Sequence, residues 1–171
     1  RQTLDSARLR RAISEAVGVD QKSILAYALG EHGESQMAAW SAVTIGGKPL
    51  FQLMVEQPER YGTLDLKAIA AEGKAGGWHI LAGKGSTEFG IGAAIAEVVR
   101  AVFGDENRIL PVSTLLTGQY GETGVYASVP SLLNRHGVAD VIELNLTEEE
   151  LEEFHKSCQT MKENFELALT L

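Results

Sequence analysis

Cysteine is nearly missing: Cys158 is the only one in 171 residues. A single thiol rules out an internal disulfide framework and fits a reducing, cytoplasmic setting. Basic residues are also scarce, 15 against 23 acidic, for a net charge of −8. They form no dense cluster, so the footprint of a nucleic-acid binder is not there. No apolar run approaches the ~20 residues of a membrane-spanning helix, and no membrane partner is expected. Internal repeats and low-complexity linkers are lacking as well. So is a starting Met: the chain opens Arg1-Gln2-Thr3-Leu4-Asp5 and enters a helical pattern almost at once. That reads as the second part of a longer polypeptide.

What is present is enough for one domain, residues 1–171, burying roughly 68–70% of its unfolded surface. Thr3 or Asp5 is placed to cap a first helix, whose apolar positions Leu4, Leu9, Ala12, Ile13, Ala16 and Val17 repeat with helical period before Gly18. The apolar run Ile24–Leu29 reads as a buried strand, and Ala42–Ile45 as a second, closed by a hairpin turn at Gly46-Gly47. Residues 56–63 read as a polar surface loop. A helix from Leu66 is weakened by Gly73, Gly76 and Gly77, each costing about 1 kcal/mol against Ala. A further helix, Glu88–Phe103, carries small residues suited to close helix packing, within the chain or between subunits.

Three strands are expected at Ile109–Leu116, Val125–Leu133 and Val141–Leu146, antiparallel because no helix separates them. A capping box, Thr147 with Glu150, opens a last helix with the stripe Leu151, Phe154, Cys158, Met161, Phe165 and Ala168. The order is helix, strands, helices, strands, helix, an α+β domain.

Chemistry points to Gly30-Glu31-His32-Gly33-Glu34-Ser35. A histidine between glycines at the end of a buried strand sits on a sharp turn, where Gly permits positive φ or close approach. Its ring is presented to a cleft. A neutral imidazole accepts a proton from a hydroxyl, and a carboxylate on its other nitrogen orients it. Asp5 is the carboxylate candidate. Arg8, three residues on and so on the same helix face, is the clamp for a carboxylate substrate. By spacing alone, an Asp and an Arg on one helix face are usually a surface ion pair, by roughly three to one. A hydrolase built from Ser35, His32 and Asp5 lacks the Gly-x-Ser-x-Gly elbow. His79, His136 and His155 show no metal-ligand spacing, with His155 at the edge of the last stripe. Trp40 and Trp78 read as packing residues, and Cys158 as core.

Leu4-Asp5-Ser6-Ala7-Arg8-Leu9-Arg10, then Gly30-Glu31-His32-Gly33-Glu34-Ser35 and Trp40-Ser41, together resemble the C-terminal domain of the NAD-dependent L-lactate/malate dehydrogenase family. The resemblance covers essentially the whole chain. It implies mainly antiparallel strands packed with long helices, and a missing N-terminal Rossmann domain that holds NAD. No Gly-x-Gly-x-x-Gly follows a strand here, and Gly83-Lys84-Gly85-Ser86 is not a phosphate loop.

The resemblance assigns His32 as proton acceptor and donor, Asp5 as its orienting acid, Arg8 as the grip on the substrate carboxylate and Thr87 as a pocket residue. The implied reaction interconverts a 2-hydroxy acid and a 2-oxo acid. Glu31 and Trp40-Ser41 favour the L-lactate branch over malate. Gly76-Gly77, lying near the substrate side chain in this family, implies a pocket that tolerates larger 2-oxo acids. The family's members are dimers or tetramers, so a homo-oligomer, most readily a tetramer, is implied. Arg10 but not Leu25 matches the pair of residues that binds fructose 1,6-bisphosphate in activated members, so no such activation is expected. Arg1-Gln2 departs from the family's Gly-Thr. The chain alone is expected to be inactive, and a catalytically silent assembly domain is the non-enzymatic alternative.

Overall fold

The computed structural model describes residues 2–170; Arg1, half of the Arg1-Gln2 departure, lies outside the described residues. Helix α1 runs Gln2–Val17. Leu9, Ala12, Ile13 and Val17 form its buried face, as their spacing requires, whereas Ala16 is exposed. Neither Thr3 nor Asp5 caps it. Both lie inside the helix, and their side chains reach elsewhere: Thr3 Oγ1 donates to the Pro111 carbonyl at 2.9 Å, and Asp5 turns to the site described below.

The expected strand at residues 24–29 is two strands in two sheets. β1 (Ile24–Leu25) pairs with β4 (Thr44–Ile45), which pairs in turn with β5 (Lys48–Pro49); β2 (Ala28–Leu29) pairs with β3 (Met37–Ala38). Buried Ala26 and Tyr27 join the two sheets without leaving the core. β4 is shorter than expected because Trp40–Ala42 forms a single 3₁₀ turn. After α2 (Leu50–Glu56), residues 58–61 are a helical turn, α3 (Pro58–Tyr61), and not a polar loop; Pro58 starts it and Tyr61 is buried.

Helix α4 (Leu66–Lys84) runs unbroken through Gly73, Gly76 and Gly77. Its packing on α1 explains why: a Cβ on Gly73 would lie 3.4 Å from the Leu9 Cα, so the glycine brings the two backbones together. α5 (Phe89–Phe103) follows, with Phe89, Ile95, Val99 and Phe103 exposed.

β6 (Arg108–Thr117), β7 (Thr123–Asn134) and β8 (Gly137–Val141) form an antiparallel meander. β8 ends where the third strand was expected to begin, since residues 142–146 leave the sheet to reach α6 (Glu148–Ala168). The capping box of α6 is made, with Thr147 Oγ1 accepting from the Glu150 N–H and Glu150 Oε2 accepting from the Thr147 N–H. Phe154 and Cys158 are fully buried, but Phe165 is 63% exposed, so the stripe docks only along its first half. Of the two larger cores, one lies between α6 and the β7 face and the other between α1, the small sheets and α2; a small third cluster, Ala101, Leu110 and Leu133, joins α5 to β6 and β7. The fold is α+β, as the element order implied. No helix among the described residues is long and apolar enough to cross a membrane.

Candidate active site

The seam between the two cores carries Gly30-Glu31-His32. Gly30 (φ 83°) leaves β2 and pairs with Ser128 of β7 through both backbone bonds, 3.0 Å each. A side chain at Gly30 would put Cβ 2.8 Å from the Ser157 Cβ, so both reasons for a glycine apply. The turn is held from α1 as well: the Gln2 amide donates to the carbonyls of Gly30 and Glu31.

From this turn His32 reaches α1. Its Nδ1 lies 2.5 Å from Asp5 Oδ2, and the other Asp5 oxygen lies 3.2 Å from Arg8 Nη1. An ionised carboxylate only accepts, so Nδ1 carries the proton and Nε2 is left with a free lone pair. The His32 side chain is 37% exposed, Asp5 5% and Arg8 16%. Asp5 and Arg8 are therefore not a solvated surface pair. The Asp5 carboxylate is tolerated in the interior because two donors meet it at the positive end of α1. The three residues share a cavity of about 520 Å³, and Thr87 also lines it.

Four residues singled out in the sequence, His32, Asp5, Arg8 and Thr87, thus meet in one place. Others do not. The Ser35 hydroxyl donates to Glu31 Oε2 at 2.5 Å and lies 3.1 Å from Ser157 Oγ, so it is turned away from His32 and the hydrolase arrangement is not formed. His155 is half-buried at the edge of the stripe, where its Nε2 donates to the Tyr120 carbonyl at 2.8 Å. Trp78 is not a packing residue: it is 66% exposed and lines the cavity. Lys74, Gly77, Trp78 and Leu81 all face that cavity from α4. Their spacing of three and four is a helix face, a signal that the glycines obscured. Gly76 and Gly77 do not simply add space. Cβ atoms there would lie 3.4 Å from Arg8 Cδ and 3.3 Å from Arg8 Nη1, so the glycines make room for the arginine.

No group of three or more His, Cys, Asp or Glu that could hold a metal ion occurs among the described residues. A second cavity, about 470 Å³, holds Arg10, Lys22, Leu25, Glu97 and Arg108. Burial pushes the Arg10 guanidinium below its ordinary pKa, opposed by the nearby Glu97 carboxylate.

Comparison with known proteins gives the family. Residues 2–171 match the family model described as lactate/malate dehydrogenase, alpha/beta C-terminal domain. L-lactate dehydrogenase 3 of Bacillus cereus is 46% identical over 161 residues, covering 94% of this chain and 51% of that protein. The L-lactate dehydrogenase of Fusobacterium nucleatum is 41% identical over 164 residues, covering 96% and 52%. Among solved structures, the ligand-bound minor L-lactate dehydrogenase of Enterococcus mundtii superposes with a TM-score of 0.89 at 39% identity, covering 94% of this chain and 51% of that one. A lactate dehydrogenase enzyme from a Medee basin deep-sea metagenome library gives 0.90 at 36%, covering 96% and 52%. The chain spans about half the length of these relatives. It belongs to the lactate/malate dehydrogenase family, as that family's C-terminal α/β domain.

Proposed function

We propose that this chain is the substrate-binding and catalytic half of an NAD-dependent L-2-hydroxyacid dehydrogenase that interconverts L-lactate and pyruvate. The observation that carries the proposal is the convergence of His32, Asp5 and Arg8 on one cavity, with the proton of His32 held on the Asp5 side.

Arg8 grips the substrate carboxylate. Its Nη1 is tied to Asp5, which fixes the plane of the guanidinium and leaves the rest of the fork for the substrate. In the oxidative direction His32 Nε2 takes the hydroxyl proton, and the Asp5 carboxylate stabilises the imidazolium that forms. In the reductive direction the protonated ring donates to the carbonyl oxygen, polarising it first. Thr87 closes the pocket beside the substrate.

The described residues fit only the reactive end of NAD. Gly83–Gly85 lie at the end of α4, with Gly85 as its C-cap, and offer no strand-to-helix turn for phosphates. Leu4 and Ile91 make an apolar wall of the same cavity, suited to a nicotinamide ring. Gly90 admits that wall, since a Cβ there would lie 3.2 Å from Leu4 Cδ1. A bound nicotinamide would supply hydride exchange at C2 of the substrate, and the rest of the dinucleotide would be held by a further part of the enzyme. Exposed Trp78 and Leu81 at the cavity favour a site completed by a further part of the enzyme over a silent assembly domain.

Because Gly76 and Gly77 accommodate Arg8, they do not argue for a wider substrate pocket, and pyruvate is favoured over branched 2-oxo acids. Steady-state reduction by NADH with the full-length enzyme tests this. The expected order of kcat/KM is pyruvate above 2-oxoisocaproate and oxaloacetate. A preference for oxaloacetate, or no NADH oxidation with any of the three, overturns the reading.

A further inference from the structure

The backbone turn that carries His32 is tied to α6 by a closed ring of hydrogen bonds that contains no cavity-lining residue. The Glu31 N–H donates to Ser157 Oγ at 2.8 Å. Ser157 Oγ and Ser35 Oγ are 3.1 Å apart, and the Ser35 hydroxyl donates to Glu31 Oε2 at 2.5 Å. The direction of the ring follows from its chemistry. The Glu31 carboxylate only accepts, so it takes the single hydroxyl proton of Ser35. Ser35 Oγ is then an acceptor, and the proton between the two serines comes from Ser157. The sequence Glu31 N–H, Ser157 O–H, Ser35 O–H, Glu31 carboxylate starts and ends on the residue immediately before His32. Each bond polarises the next.

Two further observations single out Ser157. It is completely buried although α6 contributes nothing to the cavity. Gly30 is spared a side chain just where one would strike Ser157. The local backbone is thus shaped to let a hydroxyl from the last helix reach the turn. Any larger residue at either position breaks the contact.

We propose that Ser157 is a positioning residue for His32, acting through Glu31 and Ser35; this rests on the proposed dehydrogenase reading. Arg8 is held independently by Asp5 and by the glycine face of α4. Loss of the ring therefore misplaces the imidazole and leaves the carboxylate grip intact. The signature is a fall in kcat with KM for the 2-oxo acid little changed.

The test uses the full-length enzyme with pyruvate and NADH. S157A and S35A are each expected to lower kcat by roughly 10- to 100-fold, the scale of a displacement of up to 1 Å at a reacting group. KM should stay within about twofold. The double variant S35A/S157A should be no slower than the worse single one, because either change opens the same ring. S35T keeps the hydroxyl and should recover kcat to within a few-fold of the parent. Ser35 is only partly buried, so S35A and S35T carry the test if S157A does not fold. Parental kcat in S35A, or multiplication of the two single effects, overturns the proposal even if stability falls. The dehydrogenase reading fails separately, if the unaltered enzyme does not turn over pyruvate.

Discussion

At the level of single residues, the site is a set of short-range dependencies. Arg8 needs two independent donors: one for Asp5 and a fork for the substrate. R8K in the full-length enzyme should raise KM for pyruvate by roughly 10- to 100-fold, the loss of about one charge-assisted bond worth ~1.5–3 kcal/mol. Gly77 separates crowding from folding. G77A improves helix propensity by about 1 kcal/mol. Its Cβ would nevertheless sit 3.3 Å from Arg8 Nη1. Thermal stability is expected to hold or rise while KM for pyruvate increases, and a lower KM would show that the glycine serves another purpose. The His32 turn stands out in the sequence because a histidine between glycines closes an apolar run, whereas an Asp/Arg pair on one helix face is commonplace, and Asp5 and Arg8 took their roles only from the family resemblance. What the sequence hid was burial. Spacing places Asp5 and Arg8 on one face but does not say that the face is interior, and it gave no hint that Ser35 is turned toward Glu31.

Elements transmit the fold to the site through their ends and their closest contacts. Glu150 shows this at the start of α6. It completes the capping box, and its carboxylate also accepts from the Ser41 N–H at 2.9 Å and from the Ser41 hydroxyl at 2.5 Å. T147A removes only a cap and should cost about 1 kcal/mol. E150A also removes the acceptor of the Ser41 N–H and of the Ser41 hydroxyl, and should cost about 2–3 kcal/mol by urea unfolding. Equal costs would mean the Ser41 bonds are idle. Of the long elements, α1 and α6 were readable from a periodicity that runs over many residues, and α4, α5, β6 and β7 from the capping and turn residues that bound them. The short ones were not. A six-residue apolar run does not reveal that Ala26-Tyr27 carries the chain from one sheet to another. The helical turn at 58–61 depends on burying Tyr61, a tertiary contact. The glycines of α4 looked like helix breakers because their compensation, close approach to α1, lies in another part of the chain.

The molecule as a whole joins two cores across the His32 turn, and its stability should depend on pH in a definite direction. Burial pushes the Cys158 thiol up to about 12, from 9.0, and burial also raises Tyr27 and Tyr120. Below about pH 9 the thiol is protonated in both folded and unfolded chains. Above it the unfolded chain ionises first, so stability is lost as pH rises from 9 toward 12. The melting temperature of the enzyme should therefore fall across that window, and less steeply in C158A; a parallel fall would exclude the thiol. The second cavity lacks a titratable group at Leu25 to join Arg10. Fructose 1,6-bisphosphate should accordingly leave the half-saturating pyruvate concentration unchanged, and a large drop would refute this.

The proposed chemistry requires Asp5 to act through the imidazole of His32. The measurement is kcat for pyruvate reduction across H32Q, D5N and the double variant of the full-length enzyme. H32Q should lose roughly 10²- to 10⁴-fold, as expected for a general acid–base group. D5N should fall substantially as well, and the double variant should be no slower than H32Q to within about threefold, because an acid that works through the ring has no effect once the ring is gone. A D5N enzyme with the parental kcat, or a double variant slower than H32Q by the full D5N factor, would contradict it.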